Sequence, residues 1–183
     1  MTTLQGRRIV LREKTADDAF NDYRWRSDPE LARLDDTSPL RMSFSDFLKY
    51  YEDELKYPTP GRHRFAIEAD DGKHIGNCMY YDLDSIRGEA ELGILIGERD
   101  YWSQGYGTES VKAMLNYLFS KYLLRKVYLH TLDWNIRAQK AFAKCGFIAK
   151  RKVRRAGSTL IAMEALREDW EAQRQQQANS DAS

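Results

Sequence analysis

The chain has 183 residues, of which 42% are hydrophobic and 31% are charged. That length and composition predict one globular domain with a hydrophobic core. Twenty-nine basic and 28 acidic side chains give a formal net charge of +1, which argues against a nucleic-acid partner. The apolar runs are too short to span a bilayer, and the N-terminus lacks an apolar signal segment. We therefore expect a cytoplasmic protein without a membrane partner.

The cysteine and histidine content predicts no metal site. Cys78 and Cys145 are too few for a disulfide framework, and each lies in an apolar pattern that predicts a buried thiol. His63, His74 and His130 do not have the spacing of metal ligands. No metal cofactor is expected.

The first half of the chain predicts a strand, several helices and a three-stranded meander. Residues 8–14 read as a strand, and helical segments begin near Thr15, near Ser27, and at Ser43 or Ser45, which are residue types that cap helices. The Asp-Gly turn at residues 71–72 supplies the positive φ that a hairpin requires. The strands predicted around and after it are residues 64–69, 75–84 and 89–96.

The second half predicts a helix, a strand, a short helix and a hairpin. Apolar residues recur every three or four positions over residues 110–123, which is typical of a helix with one buried face. Asn135 is a good N-cap and Gly146 a good stop for the short helix. The remaining predicted strands are residues 126–132, 147–155 and 158–166. We place one domain at residues 6–170 and expect residues 171–183 to be a polar, disordered tail.

A glycine-rich turn, Gln104-Gly105-Tyr106-Gly107-Thr108, joins the strand at 89–96 to the helix that follows. Glycine allows close approach of the backbone, and the free N–H groups of a first helical turn attract anions. The turn therefore predicts a phosphate or pyrophosphate site. It is not a Walker sequence, because no Gly-Lys-Ser/Thr follows, and Ser110 stands where a dinucleotide fingerprint needs its third glycine.

The run GERDYWSQGYGTESVKAMLNYLF resembles the acetyl-CoA signature of the GCN5-related N-acetyltransferases (GNATs). In that family a turn of the form Arg/Gln-x-x-Gly-x-Gly/Ala cradles the CoA pyrophosphate. Trp102 replaces the first Arg/Gln here, a form similar to that of the RimJ/RimL-like branch and its spermidine-acetylating relatives. Residues 135–147 resemble the second signature of the family, N-x-R-A-x-x-x-Y-x-K-x-G-F. The resemblance covers about residues 6–170.

The resemblance implies an α/β (α+β) fold with a mixed, mostly antiparallel sheet, flanked by helices and splayed between its fourth and fifth strands. Acetyl-CoA would enter at the splay as co-substrate for an amine acceptor, and a homodimer is possible. The cofactor-binding residues that it implies are Ile94, Leu95, Ile96, Trp102, Ser103, Gln104, Gly105, Tyr106, Gly107, Thr108, Asn135 and Phe142.

The implied chemistry is direct acetyl transfer from the thioester to an amine. Glu91 is the candidate base, and Glu89 shares its face of the strand; the alternative is that both carboxylates face solvent. Phe142 stands where the family has a proton-donating tyrosine, which leaves water, Tyr101 or Tyr106 as alternatives. His130 alternates with apolar neighbours and is expected to be structural.

The acceptor is predicted only by class. Related enzymes build the acceptor pocket from the segment that here carries Asp35, Asp36, Glu52, Asp53 and Glu54. Such acids would suit a polyamine or a basic peptide end, although a solvated helix face is the preferred interpretation. We expect an N-acetyltransferase for a protein N-terminus, a polyamine or another small amine. The alternatives are a non-catalytic acyl-CoA sensor and a transferase of a different acyl group.

Overall fold

The computed structural model describes residues 2–181 and is built on one eight-stranded sheet. Its strand order is β1-β2-β3-β4-β5-β6-β8-β7. All neighbouring strands are antiparallel except β5 and β6, which run parallel. The strands are β1 (Leu4–Gln5), β2 (Ile9–Glu13), β3 (His63–Ala69), β4 (His74–Asp84), β5 (Glu89–Ile96), β6 (Lys126–Leu132), β7 (Ile148–Arg155) and β8 (Ser158–Leu166).

Six α-helices and two short 3-10 helices complete the fold. The 3-10 helices are Ala16–Asp18 and Arg99–Tyr101. The α-helices are α1 (Ala19–Ser27), α2 (Pro29–Leu34), α3 (Phe44–Lys56), α4 (Tyr106–Lys121), α5 (Ile136–Ala143) and α6 (Arg167–Asp181). Each strand and helix that the sequence predicts is present, and the two-residue β1 is an addition. None of the helices within residues 2–181 is long and apolar enough to cross a membrane.

Helix α6 corrects the prediction of a disordered tail. The polar composition beyond residue 170 led to that prediction, yet the helix begins at Arg167 and continues to Asp181. Trp170 explains the difference, because its ring packs on Phe119 with centroids 5.3 Å apart and its indole N–H donates to Asn116 over 2.7 Å. This contact fixes the first turn, and the glutamines, alanines and arginine that follow favour a helix. Residues 182–183 of the predicted tail lie outside the described part of the chain.

The sheet opens between β5 and β6. These strands pair over three positions, Glu89 to Glu91 against Lys126 to Tyr128, and no further pairing between them occurs in the described chain. The end of β5, residues 94–96, therefore presents main-chain groups along an unpaired edge. Because the short β1 shifts the count by one, this opening is the splay that the resemblance implies between the fourth and fifth strands.

The two faces of β5 belong to different layers. Ala90 and Leu92 are buried against the α4 side, where the main core also takes Met114 and Leu118 from α4. Glu91, Gly93 and Leu95 alternate to the opposite face of the strand. A smaller cluster that includes Ala19 of α1 with Phe47 and Tyr51 of α3 covers that side of the sheet. Strand β5 thus separates the main core on its α4 side from the smaller cluster formed with α1 and α3.

Candidate active site

A groove of about 190 Å³ lies at the opening between β5 and β6. We call it the splay groove. The end of β5, the glycine-rich turn, α2 and α5 form its walls. Ten of the twelve predicted cofactor residues line it: Ile94, Leu95, Ile96, Trp102, Ser103, Gly105, Gly107, Thr108, Asn135 and Phe142. The fold brings together in one place residues that are up to 48 positions apart in the sequence, from Ile94 to Phe142.

The turn ends in a helix start whose N–H groups have no side-chain cap. Gly105 is the N-cap of α4, and its φ of 91° lies in the left-handed region that glycine adopts without strain. No side chain caps the first turn, so the amides of that turn remain available to an anion at the positive end of the helix. A Cβ added to Gly107 would lie 3.6 Å from Ile96 and 3.9 Å from Ile94, within the groove wall. The site fits a pyrophosphate bound by main-chain donors.

Gln104 and Tyr106 do not line the groove, although the sequence placed them with the cofactor residues. The guanidinium of Arg8 donates to the Gln104 carbonyl over 2.9 Å and lies 4.5 Å from the centroid of the Tyr106 ring. The Tyr106 hydroxyl donates to Asp70 over 3.2 Å, away from the groove. Arg8 also binds the carboxylate of Glu109. Gln104 and Tyr106 therefore stabilise the turn on the side opposite the groove. Arg8, which contacts both of them, was not predicted from the sequence.

Trp102 joins the turn to β5 and α5. Its indole N–H donates to the carbonyl of Ile96 over 2.7 Å, which fixes the wall of the groove. The guanidinium of Arg137 stacks on the same ring at 4.1 Å and also lines the groove. Arg137 was not among the predicted site residues. It is the arginine of the second family signature, N-x-R-A, so that match could have indicated it.

Asn135 and Phe142 line the groove while serving the local structure of α5. The Asn135 side-chain oxygen accepts from the amide of Ala138 over 3.2 Å, which confirms the predicted N-cap. The two N–H donors of its side-chain amide remain for a ligand. Phe142 is 9% exposed and packs edge-on against Phe147 at 6.0 Å. Its ring therefore belongs to the core as well as to the groove.

A second cleft, of about 560 Å³, lies on the face of the sheet covered by α1 and α3. We call it the charged cleft. It shares three residues with the splay groove, Asp35, Ile94 and Leu95. The ionisable residues that line it include three acids and three arginines: Asp22, Arg26, Asp35, Glu54, Arg62 and Arg64. The two clefts therefore meet beside β5.

Two of the five acids proposed for an acceptor pocket line this cleft, Asp35 and Glu54. Asp36, Glu52 and Asp53 are exposed and do not line it. Helix α3 buries Phe47 and Tyr51 on one face, so Glu52 and Asp53 fall on its solvated side. The prediction of a solvated helix face is therefore correct for Glu52 and Asp53, whereas Glu54 faces the charged cleft.

Glu91 is buried, not solvent-facing, and it lines neither cleft. It is 4% exposed, and the Nδ1 atom of His130 lies 2.7 Å from its carboxylate. Glu91 is the last residue of β5 that pairs with β6, so it sits at the root of the splay. Glu89, the second candidate, binds Lys126 over 3.3 Å and is only half-buried. The solvent-facing alternative is thus wrong for Glu91.

Two tyrosines flank the Glu91 carboxylate. Burial, with Glu91 as a second cause, raises the pKa of Tyr128 to about 12. The same two causes raise the pKa of Tyr81 well above its ordinary value. Tyr81 is the partner of Glu91 in the β4–β5 register and also lines the charged cleft. It is the residue that connects Glu91 with that cleft.

The hydroxyls of Tyr101 and Tyr106, suggested as alternative proton donors, are engaged elsewhere. Tyr101 donates to Asp71, and this hydrogen bond raises the pKa of Tyr101 to about 12. Its ring lines the splay groove, but Asp71 and Asp70, the partners of the two hydroxyls, do not. Neither hydroxyl is therefore held toward the groove.

Both cysteines are buried free thiols, as predicted. Burial raises the pKa of Cys145 to about 11 and raises the pKa of Cys78 still further. A neutral buried thiol is a poor nucleophile, so neither suits a covalent intermediate. Within residues 2–181, no cluster of histidine, cysteine, aspartate and glutamate side chains could hold a metal ion.

The splayed sheet, the uncapped glycine turn and the groove between them define an acyl-CoA-dependent transferase fold. The family profile described as "Acetyltransferase (GNAT) domain" matches residues 8–148, and the chain belongs to this family of N-acetyltransferases. The match confirms the resemblance seen in the two signature runs.

Relatives of known sequence support the same assignment. The chain is 26% identical over 129 residues to an uncharacterized N-acetyltransferase p20 of Bacillus licheniformis, covering 69% of this chain and 71% of that protein. It is 28% identical over 106 residues to the spermidine N(1)-acetyltransferase of Vibrio cholerae, covering 58% of this chain and 60% of that enzyme.

Solved structures confirm the fold. The spermidine N-acetyltransferase from Vibrio cholerae in complex with CoA and spermine superposes with a TM-score of 0.77 at 20% identity, over 88% of this chain and 96% of that one. The aminoglycoside acetyltransferase AAC(6')-Ib in complex with coenzyme A gives a TM-score of 0.76 at 19% identity, over 91% and 99% of the two chains. A dodecameric structure of the Vibrio cholerae enzyme gives 0.70 at 20% identity, over 89% and 96%.

Proposed function

We propose that the protein transfers the acetyl group of acetyl-CoA to a primary amine by direct attack in a ternary complex. The observation that carries this proposal is the meeting of the splay groove and the charged cleft at Asp35, Ile94 and Leu95. One compartment suits an acyl-CoA and the other is polar and open. A thioester and an amine bound in them would come together beside β5, where proximity alone supplies a large part of the rate.

The residues of the splay groove fit the parts of acetyl-CoA. The turn from Trp102 to Thr108 suits the pyrophosphate: the Trp102 amide donates to the carbonyl of Arg99, whereas no side chain caps the amides at the start of α4. The edge of residues 94–96, which does not pair with β6 and on which the Ile96 carbonyl accepts from Trp102, suits the amide-containing pantetheine arm as an added strand. Asn135 offers its side-chain N–H donors, and Phe142 offers apolar contact. The named relatives bind coenzyme A, which supports the choice of ligand.

The amine must lose a proton before it attacks. A lysine-like amine with a pKa near 10.4 is neutral in about one molecule in a thousand at pH 7, and an α-amino group in roughly one in ten. We propose that Glu91 supports this deprotonation through Tyr81 or water, because it is buried beside the cleft without lining it. The departing thiol has a pKa near 8.5, so it leaves acceptably without a dedicated acid. This accounts for the phenylalanine at position 142.

The acceptor class stays open between a protein N-terminus, a polyamine and another small amine. Relatives named for spermidine, spermine and aminoglycosides support an amine of some kind. The homodimer also remains a prediction, to be tested by light scattering of the purified chain.

A thiol-release assay tests the proposal. Purified protein is incubated with acetyl-CoA and a panel of spermidine, amino acids, amino sugars and N-terminal peptides, with and without each amine. We expect amine-dependent release of CoA and an acetylated product by mass spectrometry. Binding of acetyl-CoA without transfer to any amine would favour the sensor, and faster reaction with a longer acyl-CoA would favour another acyl group.

A further inference from the structure

The charges of the charged cleft are not all available to a ligand. Glu54 is shared between Arg62 and Arg64, at 3.9 and 3.6 Å. Asp22 is almost fully buried, binds Lys14 over 2.9 Å and accepts from Asn77 over 2.8 Å. These groups already have partners within the protein and contribute mainly to the wall.

Asp35 and Arg26 are the two charged side chains of the cleft that remain free. Within residues 2–181, neither side chain makes a hydrogen bond or an ion pair, and the two do not pair with each other. Asp35 lies in the exposed loop after α2 and lines both clefts. Exclusion of water there raises the pKa of Asp35, an effect that Arg26 and Arg64 oppose. The cleft thus presents one free anion and one free cation, beside two arginines that share the single carboxylate of Glu54.

The positions of these two groups differ. Asp35 lines both clefts and stands at their junction, whereas Arg26 lines only the charged cleft. An ammonium group attracted to Asp35 is therefore placed next to the splay groove, where the acyl group would be. A group bound by Arg26 lies away from the reaction. Arginine is suited to carboxylates, because its planar donors match their two oxygens.

We propose that the acceptor is a primary amine that also carries a carboxylate, with its amine held by Asp35 and its carboxylate by Arg26. The inference rests on the proposed function and narrows its acceptor class. The carboxylate-bearing amine is either a free amino acid or the N-terminus of a peptide with an acidic side chain close by. Both sources offer the same two charges.

A polyamine does not match this arrangement. It carries positive charge along its whole length, so an end held at Asp35 would place another ammonium near Arg26. The ionisable residues of the lining include three acids and three arginines, which leaves no excess of negative charge to hold a polycation. Like charges placed together cost binding free energy, so this arrangement discriminates against a polycation.

Matched acceptors test the proposal directly. The parent protein is assayed with acetyl-CoA and ω-amino acids of three to six carbons, the diamines of equal length, and the corresponding ω-amino amides. C-terminally amidated Ala-Asp and Ala-Lys provide the peptide arm. We expect kcat/KM for the best carboxylate-bearing amine to exceed that of its matched diamine at least tenfold. If the free amino acids are the better acceptors, the natural acceptor is a free amino acid. If amidated Ala-Asp is better, the natural acceptor is a peptide N-terminus. Either result supports an acceptor that carries both an amine and a carboxylate.

Two variants show whether Arg26 causes the preference. Arg26→Glu should invert it, so that diamines become better acceptors than amino acids, while the amides change little. Asp35→Asn should raise KM for every amine about tenfold without changing acetyl-CoA affinity measured by calorimetry. Arg41→Glu is the matched control, because Arg41 is exposed, lines neither cleft and undergoes the same change of charge. It should leave the preference as in the parent.

The failures are distinguishable. If the parent acetylates no amine in the panel, the proposed function is wrong. Equal kcat/KM for diamines and amino acids would contradict the carboxylate-bearing acceptor but not the proposed acetyltransferase activity. An equal effect of Arg26→Glu on all acceptors would have the same meaning. An Arg41→Glu variant that behaves like Arg26→Glu would assign the preference to overall charge, and would equally overturn the role of Arg26.

Discussion

The splay groove and the charged cleft share a wall but are built from different groups. The groove is lined by main chain, glycines and apolar side chains, and Asp35 and Arg137 are its two charged lining residues. The cleft is lined by six charged side chains from α1, the loop after α2, α3, the segment before β3, and β3. A ligand bound by main-chain amides is insensitive to most substitutions, whereas a ligand bound by side chains changes with each one. Under the function proposed above, substitutions in the cleft should change the acceptor more readily than substitutions in the groove change the co-substrate.

Substitution of Glu91 is expected to have the largest effect on activity. Glu91 lines neither cleft, but it lies where the splay between β5 and β6 begins. Glu91→Gln should lower kcat/KM at neutral pH by about 100-fold, the size expected for loss of a general base. The loss should shrink as the pH approaches the pKa of the amine, since the amine then needs no base. A pH series of initial rates measures both features.

The control for this change is Glu89→Gln, two residues away on the same strand. Glu89 binds Lys126 over 3.3 Å and lines neither cleft, so the variant should retain nearly the parent rate. Because the Glu91–His130 contact is buried, melting temperature and acetyl-CoA affinity are measured alongside. A folded Glu91→Gln protein with parent activity at every pH would place the base elsewhere and make Asp35 the next residue to examine.

The main-chain character of the splay groove can be tested by adding a side chain to Gly107. A Cβ there would meet Ile96 and Ile94 at 3.6 and 3.9 Å, and the φ of Gly107 is not in the left-handed region. Gly107→Val should therefore fold and weaken acetyl-CoA binding at least about tenfold, by filling space that the phosphates require. Calorimetry that finds the parent affinity in a folded variant would move the pyrophosphate away from this turn.

Gly105 offers a second test with a closely matched control. Gly105 has φ +91°, and Gly157, in the turn between β7 and β8 and on the lining of neither cleft, has φ +90°. Alanine at either position carries the same backbone strain, of about 1–2 kcal/mol, and at Gly105 its Cβ would also lie 3.1 Å from the guanidinium of Arg8. Gly105→Ala should lose acetyl-CoA affinity in addition to stability, and Gly157→Ala should lose stability alone. Equal affinities in the two variants would reduce Gly105 to a local turn residue.

Most of the cofactor residues that the family resemblance implied line the splay groove, because that resemblance rests on short runs of sequence. Residues 94–96, 102–108 and 135–142 each carry a local signal, such as the left-handed Gly105 or the capping Asn135. Arg137 lay inside one of these runs and was still missed, since a stacked arginine looks like any exposed helical one. Gln104 and Tyr106 were assigned to the wrong side of the turn, because their direction depends on Arg8, almost a hundred residues earlier.

The charged cleft was not predictable in the same way. Asp35 and Arg26 are nine positions apart in unremarkable polar segments, and neither has a periodic pattern that marks it as free. Their availability is decided by which other charges find partners, as Glu54 finds Arg62 and Arg64. The burial of Glu91 is also a tertiary fact, since its strand alternation alone is equally consistent with a solvated carboxylate. Helix α6 was missed because long-range contacts of its first residues anchor it, such as those of Trp170 with Phe119 and Asn116.

A smaller effect, visible only at low pH, would separate Asp35 from ordinary carboxylates. Burial raises the pKa of Asp35, so this group takes up its proton at a higher pH than an ordinary aspartate and is charged only above that pH. As the pH falls, kcat/KM should decline with a slope of about 1 from protonation of the amine and then steepen toward about 2 below the pKa of Asp35. Asp35→Asn should lack the step that belongs to Asp35, and comparison with Glu91→Gln identifies any step that comes from Glu91. A parent profile that never steepens before the protein unfolds would contradict a charged role for Asp35.

Phe142 should give the smallest effect, and it tests whether the groove supplies chemistry or only contact. The ring is 9% exposed and packs on Phe147, so it already serves the core and the wall of the groove. A hydroxyl added in Phe142→Tyr either reaches water or carries a desolvation cost of about 1–3 kcal/mol. Because a thiolate leaves without a dedicated acid, kcat should change less than about threefold.

The opposite substitution at this position should act through packing. Phe142→Ala should lower the melting temperature or weaken acetyl-CoA binding, since it opens a cavity beside Phe147. Single-turnover rates and calorimetry on both variants separate the two roles. A tenfold rise in kcat for Phe142→Tyr would mean that the reaction lacks a proton donor, and the natural protein would then be an attenuated transferase whose groove binds acyl-CoA better than it uses it.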